Sequence, residues 1–161
     1  MERVLRSWQA AALVLAALLV QGCSATTQFV AKSPGTTLEV GGSGRVVLPQ
    51  SRKMSSKSTG QYEFRAVSAD GKEMYGILPM RVSGGKMATS ILLFAPALFI
   101  GGFRDVFHFY EFDPDNGTIG YKSREGDEWR FYRPTAAESD RSREYFRTKG
   151  AESQPASGAT N

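Results

Sequence analysis

Residues 61–82 read QYEFRAVSADGKEMYGILPMRV, and their alternation decides the fold. Tyr62, Phe64 and Ala66 fall on one face and Glu63 and Arg65 on the other, the period of two that belongs to a half-buried strand. Asp70-Gly71 then supplies a hairpin turn, because glycine accepts the positive φ that the favoured two-residue turns require. The return strand is expected over Lys72–Val82, with Met74, Leu78, Met80 and Val82 on one face. Pro79 lies on the opposite face and brings no N–H, which predicts an edge position or a bulge there. Upstream, Pro34-Gly35 marks a first turn. Thr36–Val40 and Arg45–Leu48 are short β-prone runs on either side of Gly41-Gly42-Ser43-Gly44. Pro49–Gly60 (PQSRKMSSKSTG) reads as a polar loop with three positive charges.

Downstream the chain is aromatic: Phe103–Tyr132 holds nine of the 18 Phe, Tyr and Trp residues. Val106–Phe112 (VFHFYEF) is apolar on both faces, as in a strand covered on both sides. Asp113–Gly117 is a turn by composition. Thr118–Lys122 and Glu128–Arg133 form a hairpin across Glu125-Gly126-Asp127, with Ile119 and Tyr121 expected to face Trp129 and Phe131. Thr135-Ala136-Ala137-Glu138 is a capping box behind Pro134. It opens a helix through about Arg147, anchored by Ala137, Tyr145 and Phe146 and otherwise charged, hence on the surface. Residues 149–161 read as a disordered tail. The expected fold is mainly β: a small antiparallel β-sandwich or sheet of about 6–7 strands with one C-terminal surface helix. The foldable part, about 115 residues, is enough for one domain with a core and too small for a large multidomain enzyme.

The N-terminus carries an address. Arg3 and Arg6 precede the uncharged apolar stretch Ala10–Val20, too short to span a bilayer and suited to a secretory signal. Gly22 then stands before Cys23, the chain's single cysteine. Val20-Gln21-Gly22-Cys23 resembles the bacterial lipobox, at which a signal peptidase cuts before a lipid-modified cysteine. The resemblance implies that 1–22 is a lipoprotein signal peptide and that Cys23 carries a diacylglycerol and an N-acyl chain, with no other cofactor. Ser24, which is not aspartate, implies the periplasmic leaflet of a Gram-negative outer membrane. Two or three acyl chains hold a protein far better than one, since each buried methylene contributes about 0.8 kcal/mol. Residues 23–33, small and polar apart from Phe29 and Val30, are expected to be a tether.

The span 34–86 resembles the small β-domain called PEGA, common in bacterial envelope proteins. The resemblance rests on Pro34-Gly35, the Gly-rich turn, the Val47-Leu48-Pro49 stop and the Gly60-Gln61-Tyr62-Glu63-Phe64 strand entry. It implies a binding or spacer module and carries over no site residue. The remainder, 87–148, comprises an apolar segment, an aromatic-rich sheet and the helix, expected to form one unit with 34–86.

Met87–Phe103 (MATSILLFAPALFIGGF) is uncharged throughout and is interrupted by Pro96 and Gly101-Gly102. It is short for a membrane span, and Pro96 would break or kink a helix at its centre. Three readings stand: a segment buried under the two β halves, an exposed surface that docks a partner protein, or a loop dipping into the membrane that anchors Cys23. In the last two, Leu92, Leu93, Phe94, Leu98, Phe99 and Ile100 make the contact.

Catalytic chemistry finds little footing. One histidine and one cysteine exclude a multi-His or Cys-rich metal site within one chain. His108, between Phe107 and Phe109, has no identifiable nucleophile or base partner and reads as a near-core histidine held by one hydrogen bond. Asp113, Asp115 and Asn116 suggest a calcium loop only until position 12 is counted, where Arg124 replaces the required glutamate. Ser83-Gly84-Gly85-Lys86 matches the bare Ser-x-x-Lys string of penicillin-recognising enzymes without their other motifs, and Gly41–Gly44 lacks the lysine and helix of a phosphate loop. Without 1–22 the chain has 18 basic and 15 acidic side chains. Arg45, Arg52, Lys53 and Lys57 gather some of the excess, where anionic lipid or peptidoglycan could meet it. The expectation is a non-enzymatic, lipid-anchored envelope protein: a tethered β interaction module touching outer-membrane lipid and another envelope protein, with no nucleic acid as partner. The alternatives are an accessory subunit of a transport, secretion or efflux assembly docking through 92–103, and a small hydrolase or cell-wall-modifying enzyme using His108.

Overall fold

A computed structural model describes residues 24–57, 59–82 and 104–152. Residues 1–23, with Cys23 and the segment read as a signal peptide, the apolar stretch with Leu92–Ile100, and residues 153–161 lie outside them. The described chain is mainly β, with a single C-terminal helix. Three strands come from its first part: β1 (Ser24–Ala31), β2 (Thr37–Val40) and β3 (Val46–Val47). β4 (Gln50–Ser55), β5 (Glu63–Val67), β6 (Glu73–Ile77) and β7 (Met80–Val82) follow. After the 83–103 connection come β8 (Arg104–Val106), β9 (Phe109–Asp113), β10 (Thr118–Lys122), β11 (Arg130–Tyr132) and helix α1 (Ala136–Glu152).

Two sheets face each other. One has the order β11-β10-β9-β1-β4, the other β3-β2-β5-β6, and β7 pairs β8 in a separate two-stranded ribbon. Alternation places Phe64 and Ala66 of β5, Leu38 and Val40 of β2 and Met74 of β6 inward. Phe29 of β1 and Tyr110 and Phe112 of β9 meet them from the other sheet, all nearly inaccessible. The sheets touch where Phe64 meets Phe112 edge-on, with ring centroids 5.1 Å apart. Phe29 stacks on Tyr110 at 5.7 Å. The space between the sheets is thus filled by described side chains.

The hairpin read from Asp70-Gly71 forms as expected: β5 and β6 pair antiparallel from Glu63↔Ile77 to Val67↔Glu73, and Gly71 has a φ of 83°. The return strand does not run straight through. It breaks at Leu78-Pro79, where the chain leaves β5 and β7 takes β8 as its new neighbour. Proline, with no N–H to give, marks the change of sheet.

Several expectations are corrected. The strands number eleven among the described residues, more than the expected 6–7, because two runs are cut where the chain switches sheets and because β1 and β4 arise from segments read as a tether and a loop. Residues 24–31 are not a tether. They form β1, an interior strand that pairs antiparallel with β4 from Ser24↔Ser55 to Phe29↔Gln50 and parallel with β9 from Gln28↔Phe109 to Ala31↔Phe112. The sheet is therefore mixed. The polar loop 49–60 is largely β4, an edge strand whose only inward anchor is Met54. The aromatic run 106–112 is not a strand covered on both sides. It splits at Phe107-His108, and in β9 only Tyr110, Phe112 and Asp113 are buried. The last hairpin is one residue out of the expected register: Ile119 opposes Tyr132, Gly120 opposes Phe131 and Tyr121 opposes Arg130. A slip of one exchanges the two faces, so Phe131 lies over Gly120 and is largely exposed.

The division at residue 86 does not separate two structural units, since the five-stranded sheet takes β1 and β4 from one side of it and β9–β11 from the other. Helix α1 lies along β5 and β6. Its capping box is reciprocal: the Thr135 N–H donates to Glu138 Oε2 at 2.8 Å, and the Glu138 N–H donates to Thr135 Oγ1 at 3.3 Å. Ala137 is exposed and anchors nothing. Ser142 instead is fully buried and donates to the Phe64 carbonyl at 2.9 Å, Ser139 donates to the Tyr75 carbonyl, and Phe146 packs by Tyr75. The helix continues to Glu152, past the expected stop near Gly150.

Candidate functional site

The register brings the two sequence features of greatest interest to one end of the molecule. Ser24, which follows Cys23, pairs with Ser55 of β4. Two residues further along, Lys57 and Arg104 exchange both backbone hydrogen bonds, at 2.9 and 3.0 Å. Arg104 in turn pairs with Val82. Each antiparallel step is about 5 Å and two residues of strand about 7 Å, so Ser24 and Val82 are separated by at most about 22 Å. The connection 83–103, with its uncharged stretch, therefore leaves and re-enters within that distance of Ser24, the residue that follows Cys23. The turns at Asp70-Gly71 and Pro114–Gly117 lie at the opposite end, joined by the Lys72 ammonium on the Asp115 carbonyl.

Burial fixes this end firmly. Thr27, fully buried, donates to the Phe107 carbonyl at 3.0 Å. The Tyr110 hydroxyl donates to the Pro79 carbonyl at 2.5 Å and accepts from the Phe107 N–H at 3.0 Å. That single hydroxyl ties together the β6–β7 and β8–β9 breaks. Burial drives the Tyr110 phenol far above its ordinary range, so it stays protonated and able to donate.

A cleft of about 520 Å³ opens at the same end. Gln61, Arg81, Arg104 and Arg130 line it with the rings of Tyr121 and Tyr132. Arg104 Nη1 donates to the Gly60 carbonyl at 3.1 Å, and Arg81 Nη1 reaches Ser123 Oγ at 3.4 Å. Among the described residues none of the three arginines is in an ion pair with a carboxylate; the pairs that form lie elsewhere, as in Lys32–Asp113 and Arg65–Glu73. The one carboxylate in the lining, Glu138, takes the Tyr132 hydroxyl and both donors of Thr135 on its Oε2. Burial first, and then the bond to Glu138, push Tyr132 up to about 12. For Glu138, burial pulls upward, but the hydroxyl and N–H donors outweigh it and its carboxyl titrates below the usual range. Gln61 Oε1 is buried, with no donor against it among the described residues. A second cleft, about 450 Å³, adjoins across Phe107 and Arg130 and contains Trp129.

The residues weighed for chemistry fall apart in space. His108 Nδ1 lies 2.6 Å from the Ser123 carbonyl and so carries the proton there, the single hydrogen bond expected of it. Asp113 is taken up by its turn: its carboxylate accepts from the Asn116 N–H at 3.1 Å and Nδ2 at 2.8 Å, and Lys32 lies 3.4 Å away. No group of three or more potential metal ligands occurs among the described residues. Nor is any described helix long and apolar enough to cross a membrane. Cys23 and Leu92, Leu93, Phe94, Leu98, Phe99 and Ile100 lie outside the described residues, which place only their points of attachment. The arginine cleft was not legible in the sequence, because Arg81, Arg104 and Arg130 come from three strands that meet only after folding.

No protein-family model, curated protein or solved structure matches the chain.

Proposed function

We propose that this chain is a non-enzymatic envelope lipoprotein, anchored by lipid on Cys23 in the periplasmic leaflet of the outer membrane, that works as a membrane-seated β interaction module. The observation that carries this reading is the position of Ser24. It is already a paired residue of β1, so a lipid on Cys23 would hold the domain against the bilayer with no ten-residue leash between them. The end so held is the one from which 83–103 departs. The apolar residues Leu92, Leu93, Phe94, Leu98, Phe99 and Ile100 would then be delivered to the membrane surface or to a neighbour embedded in it. Between those two targets, the proximity to Cys23 favours the membrane, since one attachment supports the other.

Fractionation tests the anchor. Wild-type protein should sediment with outer membranes and take up a labelled fatty acid, while Cys23→Ala should lose the label and most of the membrane association. Label retained by Cys23→Ala would refute the assignment of the lipid to this residue.

A further inference from the structure

We propose that the cleft bounded by Arg81, Arg104 and Arg130 holds the phosphate of a membrane phospholipid headgroup; the lipid source of that phosphate rests on the membrane-seated reading above. Three arginines, Arg81, Arg104 and Arg130, line one concavity of about 520 Å³, and among the described residues none of them is in an ion pair with a carboxylate. Like charges gathered in a concave site repel, and low-dielectric walls concentrate the field, so the arrangement is favourable when an anion fills it. Glu138, the lining's own carboxylate, offsets one charge and is engaged by Tyr132 and Thr135.

The chain segment that starts at this cleft does not supply the missing anion. Residues 83–103, which join Val82 to Arg104, contain Lys86 and neither aspartate nor glutamate. Whatever course that segment takes, it adds positive charge.

The anion's chemistry follows from the donors. Guanidinium presents paired N–H groups that match the oxygens of phosphate, and among the described residues the Arg81 and Arg104 side chains each make one modest hydrogen bond, which leaves further N–H groups for a ligand. Tyr121 and Tyr132 give the cleft a ring-lined wall, suited to the glycerol carbons of a headgroup. Position supplies the rest. The cleft lies at the end that Cys23 would hold to the bilayer, where phosphates stand at the highest density.

The test uses the full chain purified in detergent, carrying Trp8→Phe so that Trp129, in the adjoining cleft, is the only tryptophan. Its fluorescence is followed on titration with three probes: dihexanoyl phosphatidylglycerol below its micelle concentration, dihexanoylglycerol, and inorganic phosphate. A saturable change with the phospholipid is expected, with dihexanoylglycerol and inorganic phosphate at least about tenfold weaker. Arg81→Gln with Arg104→Gln should weaken phospholipid binding by at least about tenfold. Arg130→Gln, an exposed position with no backbone contact to lose, should weaken it by a few fold in a chain whose unfolding temperature is unchanged. Equal binding by wild type and variants would overturn the proposal, as would dihexanoylglycerol binding as well as the phospholipid. Inorganic phosphate binding as tightly as the lipid would assign the cleft to a free anion and overturn the lipid source. The titration does not involve the anchor, so failure of Cys23 lipidation and failure of the cleft are read separately.

Discussion

Replacing Phe29 by alanine separates a strand from a leash. Phe29 is 2% exposed, stacks on Tyr110 with centroids 5.7 Å apart and leans on Phe112 at 6.2 Å. Removing a buried phenylalanine costs about 3–5 kcal/mol through lost transfer energy and the cavity left behind. Each lost ring pairing is worth about 0.5–1.5 kcal/mol within that sum. For a domain of this size the loss lowers the unfolding midpoint by roughly 10–20 °C. A tether residue would cost nothing measurable. The assay is reversible urea unfolding of the protein followed by circular dichroism, with Gln28→Ala, whose side chain is exposed, as the control. Gln28→Ala should fall within about 0.5 kcal/mol of wild type. A Phe29→Ala loss below about 1 kcal/mol would remove residues 24–31 from the core and with them the support for the proposed flush seating.

Tyr110→Phe leaves the Pro79 carbonyl and Phe107 N–H without their partner, so a loss of about 1–3 kcal/mol is expected in the same unfolding assay. Gly76→Ala would place a Cβ 2.6 Å from Pro134 and 2.9 Å from the Phe64 ring, and should cost about 1–3 kcal/mol by overpacking; a neutral result would mean that this strand face is looser than described. Burial alone would raise the Asp113 carboxyl, but donation by Asn116 and the Lys32 charge outweigh it and set it below its ordinary value. A depressed carboxylate stabilises the fold above its unfolded-state pKa of about 3.9 and loses that contribution as the pH falls through the lower folded value. The stability gap between wild type and Asp113→Asn should therefore be full at pH 6 and shrink below about pH 4; a gap independent of pH would show that charge is not its source. Ser142→Ala removes a buried hydroxyl donor to the Phe64 carbonyl and should cost about 1 kcal/mol, with α1 fraying first in hydrogen exchange.

The parts of the fold that were legible in the sequence are those where one face is apolar and a turn residue sets the register. The β5–β6 hairpin, with Asp70-Gly71 and its Tyr62-Phe64-Ala66 face, is such a case, and so is the Thr135–Glu138 cap. β1 and β4 were hidden for opposite reasons. In β4, QSRKMS offers a single inward anchor, Met54, because the strand sits at the sheet edge. In β1, SATTQFVA buries Thr27 as fully as Phe29, and a threonine that satisfies its hydroxyl on the Phe107 carbonyl looks polar in sequence and behaves as core. The parallel pairing of β1 with β9 joins residues some 80 positions apart, which no local pattern announces. Pro79 was visible as a disturbance, yet the change of sheet that it marks depends on which strand waits on the other side. The same is true of the arginine cleft, whose three members share no motif.

The proposed seating puts the end carrying Ser24, Lys57, Val82 and Arg104 against the membrane. A photoactivatable amino acid placed in living cells at Val82, an exposed position of that end, tests it against the same probe at Gly117 on the opposite end. Phospholipid adducts are expected at residue 82 and none at residue 117. Lipid adducts in equal yield at both positions, or at 117 alone, would contradict it.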